Sequence, residues 1–153
     1  MYKRQDQYAS NCVIALPLVG ANSDVCASIA CTATTKVMTN VGNAAASSDT
    51  SNFYRGSFEF DGSGDRVTAP AGADFAFGTD DFTIETWMNF STVSSSADHV
   101  IVDFRPANSA YTDTFTFSTD RNNGFKIYTN DNLALGGNAP AVGKWHHLSL
   151  IHI

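Results

Sequence analysis

The chain has 153 residues, enough for one domain with a real core, and its low charge (16%) with twelve per cent aromatics, eleven of them Phe, suits short strands and turns. A net charge of −6, a pI near 4.9 and the lack of any Lys/Arg run interleaved with aromatics argue against nucleic acid as a partner. No apolar stretch approaches the roughly 18 residues of a membrane helix, so membrane insertion is not expected.

Both termini read as translated sequencing adapter. The transposase end CTGTCTCTTATACACATCT encodes Leu148-Ser149-Leu150-Ile151-His152-Ile153, and its reverse complement encodes Tyr2-Lys3-Arg4-Gln5 after a start codon. Residues 1–5 and 148–153 are therefore expected to be scars to be set aside in fold reasoning. On that expectation the natural piece runs from Asp6 to His147 and is internal to a longer reading frame.

In chain order, Cys12 to Val19 is a plausible first strand and Lys36-Val37-Met38-Thr39 a second, each flanked by turn formers. Cys12, Cys26 and Cys31 are odd in number, and the spacing of five between the last two fits no usual zinc pattern. Thiols rank first, a local Cys26–Cys31 disulfide second and a metal third. Asn40 to Asn52, rich in Ala, Ser, Asn and Asp, reads as a long loop. From Ser57 a two-residue period sets Phe58 and Phe60 against Ser57, Glu59 and Asp61, and the turn Asp61-Gly62-Ser63-Gly64-Asp65 leads to Arg66-Val67-Thr68-Ala69, which predicts a hairpin.

The strongest strand is Phe82 to Phe90, with Phe, Ile, Thr, Met and Phe on one face and Thr, Glu, Trp and Asn on the other. Val100–Phe104, Thr114–Ser118, Phe125–Thr129 and Val142–His147 follow at the spacing of sandwiches or barrels. No amphipathic helix of ordinary length is evident. The predicted class is all-β, an antiparallel β-sandwich, because parallel strands need long and usually helical crossovers.

Phe58-Glu59-Phe60-Asp61-Gly62-Ser63-Gly64-Asp65-Arg66-Val67, Asp81-Phe82-Thr83-Ile84-Glu85-Thr86-Trp87 and Gly143-Lys144-Trp145-His146-His147 occur in this order. Together they resemble the laminin G-like domain of the concanavalin A-like lectin/glucanase superfamily, over roughly Val13 to His147. The resemblance implies a jelly-roll sandwich over residues 6–147, truncated at its C-terminal side because the further strands of the family are missing. It also implies glycan or surface-protein ligands, sometimes with calcium, on secreted or surface proteins that include viral tail and bacterial adhesion proteins. Phe60, Gly62, Glu85, Trp87 and Trp145 match the family's structural motif.

Several residues are candidates for a site. Asp61 and Asp65 are the candidate calcium ligands, since calcium takes six to eight oxygens, although a structural part in the turn suits them better. The superfamily's glycosidases carry Glu-x-Asp-x-x-Glu in outline. Here Glu59 and Asp61 supply two acids, the third is absent and a turn replaces the strand, so catalysis is not expected. Trp87 and Trp145 could stack on sugars, but their alternation within strands favours core packing. Tyr111, with Asn108 and Asp113 in the same loop, is the better ligand candidate. His146 and His147 face opposite ways and cannot chelate as a pair. The expected function is a non-catalytic carbohydrate- or surface-ligand-binding module of a larger extracellular or virion-surface protein. The rivals are a glycoside hydrolase whose acids lie in the missing part and a structural spacer.

Overall fold

The computed structural model describes residues 9–29, 31–52, 55–105, 115–129 and 132–153. They form ten strands, β1 to β10, and every strand pair is antiparallel. Helix among the described residues is limited to 3-10 turns at Ala9–Asn11, Cys26–Ile29 and Ala73–Phe75. The chain is an all-β, antiparallel sandwich protein, as its strand periods predict. It divides into two compact units, Met1–Gly78 and Thr79–Ile153.

The first unit begins irregularly. The strand expected over Cys12–Val19 does not form: Pro17 has no N–H to give to a ladder, and Leu18 takes a positive φ of 51°. The amide of Ala15 donates instead to the Asp24 carboxylate at 3.1 Å, while its carbonyl accepts from Val25 at 2.9 Å. The second expected strand also shifts, because the Lys36 amide is taken by Asp24 at 2.8 Å and pairing starts only at β1, Thr39–Val41.

The segment read as a long loop contains β1 and β2 (Ala45–Ser47), which pair with β4 (Arg66–Thr68) and β3 (Ser57–Glu59) respectively. The predicted β3–β4 hairpin is thus replaced by two longer antiparallel arms. Thr39 opposes Thr68 and Val41 opposes Arg66, whereas Ala45 opposes Glu59 and Ser47 opposes Ser57. Only residues 42–44 separate β1 from β2, against residues 60–65 on the other arm, so the second arm bulges outward between its two ladders.

The second unit carries longer strands. β5 (Phe82–Asn89) pairs with β10 (Trp145–His152) through eight matched residues. Leu148 to His152, expected as adapter, meet Thr86 to Phe82 residue for residue, since alternating Leu, Ser, Leu, Ile and His satisfies an open strand edge whatever its source. β6 (His99–Asp103), β7 (Phe115–Asp120), β8 (Gly124–Thr129) and β9 (Asn132–Gly136) form a four-stranded sheet with a register shift between Val100 and Val102. β9 was not anticipated. Its short apolar run, Leu133-Ala134-Leu135, sits between turn formers and lacks a clear period.

Aromatic rings fill the space between ribbon and sheet in this unit. Phe82 meets Phe115 edge on at 5.6 Å and 81°, and Phe90 meets His99 at 6.3 Å and 78°. Phe117 lies 6.0 Å from Phe125 on the same side of β7–β8. Offset and edge-on pairs of this kind add to the area they bury. The opposite side of β7–β8 is polar: Ser118 pairs across the strands with Lys126, and Thr116 with Tyr128.

Candidate functional site

The bulge in the first unit is built around Asp65. Its Oδ1 accepts the Asn43 amide at 2.8 Å, and its Oδ2 accepts the Asp61 amide at 2.8 Å, so one carboxylate closes the bulge onto the opposing arm. The amide of Asp61 holds Asp65 below the usual carboxylate range, joined by the amides of Asn43 and Ala44 and opposed by burial. Asp61 Oδ1 in turn accepts the Ser63 amide at 2.7 Å in an Asx turn. Gly42 makes the closure sterically possible: its φ is +76°, and a Cβ there would sit 2.1 Å from Asp65 Oδ1.

Asn43, Ala45, Ala46, Glu59, Asp61 and Asp65 line an open cleft of about 230 Å³ beside this bulge. That is smaller than the roughly 300–1,000 Å³ of sites that enclose a drug-sized ligand. Three of the four oxygens of Asp61 and Asp65 accept backbone amides, which gives both carboxylates a structural part in the turn. Together they staple the bulge to the opposing arm. Glu59 ends β3 on the exposed side, and Asp61 lies in the bulge rather than on a continuing strand.

The outward face of β5–β10 differs in kind. Ribbon register puts Thr83, Glu85, Trp87 and Asn89 on one side, opposite Ile151, Ser149, His147 and Trp145. Trp87 is 44% exposed, which corrects the expectation of core packing. The alternation was read correctly, but the Phe82, Ile84, Thr86, Met88 and Phe90 face is the one turned inward. The Trp87 and His147 rings lie 5.0 Å apart at 36°, and Ser149 Oγ donates to Glu85 Oε1 at 3.3 Å. Trp145, half-buried, lies on the same face at the next register position. His146 points the other way and donates from Nε2 to the Ala141 carbonyl at 2.9 Å, so the two histidines do diverge.

A third polar cluster went unnoticed in the sequence. Lys126 is buried and donates from Nζ to Asp120 Oδ2 at 2.8 Å and to Asp98. Burial pushes its ammonium down, but the two carboxylates outweigh that and hold it above the ordinary lysine value. Lys126 lowers Asp120 strongly, helped by the Asn123 side chain and the amides of Asn122 and Asn123. This is a pinned charge cluster with every member engaged.

The description of the concanavalin A-like lectin/glucanases superfamily, in its laminin G-like branch, matches residues 61–152, well over half the chain. The chain belongs to this superfamily. No curated protein and no solved structure matches it. In this laminin G-like chain the match spans the Asp61–Asp65 bulge, β5 and β10, the segments that carry the three motifs. Phe60, 38% exposed, packs its ring 5.6 Å from Phe58. Tyr111, Asp113 and Asn108 lie outside the described residues. No helix among the described residues is long and apolar enough to cross a membrane.

Residues that sequence reasoning passed over include Asp24, whose two oxygens accept the amides of Ala15, Cys26 and Lys36. Burial raises this carboxyl, and the three amides together with Lys36 bring it below the ordinary value. A single Asp amid turn formers carries no signal of that role. Cys26 and Cys31 form the local disulfide that ranked second in the sequence, with Cα atoms 5.1 Å apart.

Proposed function

We propose that the chain is a non-catalytic carbohydrate-binding module of a larger secreted or virion-surface protein. The observation that carries this reading is the outward face of β5–β10, where a half-exposed Trp87 ring lies against His147 with Glu85 on the same face one register step away. A sugar ring presents C–H groups on one side and hydroxyls around its edge. An aromatic face receives the first, and a carboxylate and an imidazole receive the second. The acidic surface suits a neutral glycan, and the disulfide between Cys26 and Cys31 suits an oxidising compartment. Glu59 and Asp61 do not share a strand face, which supports a binding role over hydrolysis.

The test is a glycan array probed with the wild-type chain and with Trp87→Ala, each with calcium and with a chelator, alongside an assay for released reducing sugar. Binding that the substitution abolishes, without sugar release, is the expected result. Sugar release, or no retention on any glycan by a folded protein, overturns the reading. Loss of binding in chelator alone would assign calcium a part.

A further inference from the structure

The three cysteines, separated by 14 and 5 positions in sequence, are brought together in space. Their Sγ atoms all lie within 4.8 Å of one another. Each is fastened by its own backbone contact. The Cys12 amide donates to Ala9 at 3.1 Å, the Cys26 amide to Asp24 at 3.0 Å, and the Cys31 amide to the Cys26 carbonyl at 3.1 Å. Thr32 Oγ1 donates to the Ser10 carbonyl at 2.6 Å, tying the segment after Cys31 to the turn before Cys12. Cys12 lies outside the disulfide, and its Sγ donates to the Ile14 carbonyl at 3.3 Å.

We propose that this triad is a thiol–disulfide exchange site, in which the bridge passes from Cys26–Cys31 to Cys12–Cys26. The Cys12 thiol loses its proton to solvent, the thiolate attacks Cys26 Sγ, a Cys12–Cys26 bond forms, the Cys26–Cys31 bond breaks and Cys31 leaves as thiolate. One disulfide and one thiol exist before and after, so neither an oxidant nor a reductant is consumed. Burial selects the leaving sulfur: Cys26 is 0% exposed whereas Cys31 is half-buried, and a thiolate is better placed where water reaches it. The exchange replaces a bridge across five positions with one across fourteen. It fastens the segment around Cys12 to the Cys26–Ile29 turn and presents the Cys31 thiol to external disulfides.

The experiment holds the purified wild-type protein at about pH 5 or about pH 8.5, the latter near the ordinary thiol pKa. Each sample is then trapped with N-ethylmaleimide in acidic denaturant, reduced, alkylated with a second reagent and mapped by fragment mass spectrometry. The expected result is maleimide on both Cys12 and Cys31 from the alkaline sample, with Cys26 unlabelled throughout, while acid slows the exchange and preserves the distribution that preceded it. Maleimide confined to Cys12 at both values overturns the proposal, as does equal labelling of all three. Cys31→Ser adds a second check: on exposure to dissolved oxygen its two thiols should disappear into a Cys12–Cys26 bridge, and their persistence in a folded protein counts against exchange.

Discussion

The two units solve the same problem with different chemistry. In the second, rings and aliphatic chains are buried: Phe90, Val93, Phe117 and Leu148 form its described core. In the first, the buried apolar residues among those described are only Ala9, Cys26 and Ala44, and the strands are three residues long. That unit relies on directional contacts, with Asp24 gathering three amides, Asp65 closing the bulge and Cys26 bonded to Cys31. A sequence of small polar residues has little area to bury, so carboxylates that accept amides and a covalent bridge substitute for a core.

The comparison is broken most severely in the second unit. Phe117→Ala removes a buried ring that packs against Phe125 and is expected to cost about 3–4 kcal/mol in chemical denaturation. A loss under about 1 kcal/mol would mean that the unit is not held by its rings. In the first unit the matching experiment is Asp24→Ala, which leaves three amides without their acceptor and is expected to cost about 2–3 kcal/mol. Asp24→Asn should cost less, because one amide oxygen still accepts. If Asp24→Ala proves neutral, the directional account of this unit fails.

The legibility of the sequence divides along the same line. β5 was readable because eight residues of strict alternation distinguish strand from helix, and the inward Phe, Ile and Met face followed from hydrophobicity. What alternation does not state is whether the second face is covered, and Trp87 lies on the uncovered one. In the first unit the glycines around Asp61–Asp65 announced a turn but not which strands it would join, so a local hairpin was read where β3 and β4 pair with β2 and β1. β2 is Ala45-Ala46-Ser47, residues with no strand preference, and its conformation comes from its partner β3. Lys126 offered no sign of burial, since its two carboxylate partners lie 28 and 6 positions away in sequence.

Acid should affect both units through the same kind of group. Asp24, Asp65, Asp103 and Asp120 are all held below the ordinary aspartate value of 3.8 in the folded chain. A carboxylate with a depressed folded pKa contributes stability that is fully present above its unfolded value and is lost as pH falls through the folded one. Stability should therefore be flat from neutral pH down to about 5 and decline below about 4. Denaturation midpoints across that range check this, and in Asp24→Asn the decline should be shallower by that residue's share. A midpoint that falls already between about pH 7 and 5 would point to histidine instead.

The smallest effect on stability belongs to the face that carries the functional proposal. Ser149 Oγ and Glu85 Oε1 form an exposed hydrogen bond of 3.3 Å on the ribbon, and exposed polar contacts of this kind contribute little. Ser149→Ala is expected to change unfolding free energy by less than about 0.5 kcal/mol. Ser149 lies in the stretch expected to be adapter, so its removal should leave glycan retention unchanged as well, and a loss of retention would count against that expectation. Measuring both quantities on one protein separates the two reasons for which a polar residue can sit on an outward strand face. A variant that keeps its stability and loses affinity places Ser149 in recognition. One that loses stability and keeps affinity makes the pair a cross-strand staple like those of the first unit, and the contrast between the units would then extend less far than their cores imply.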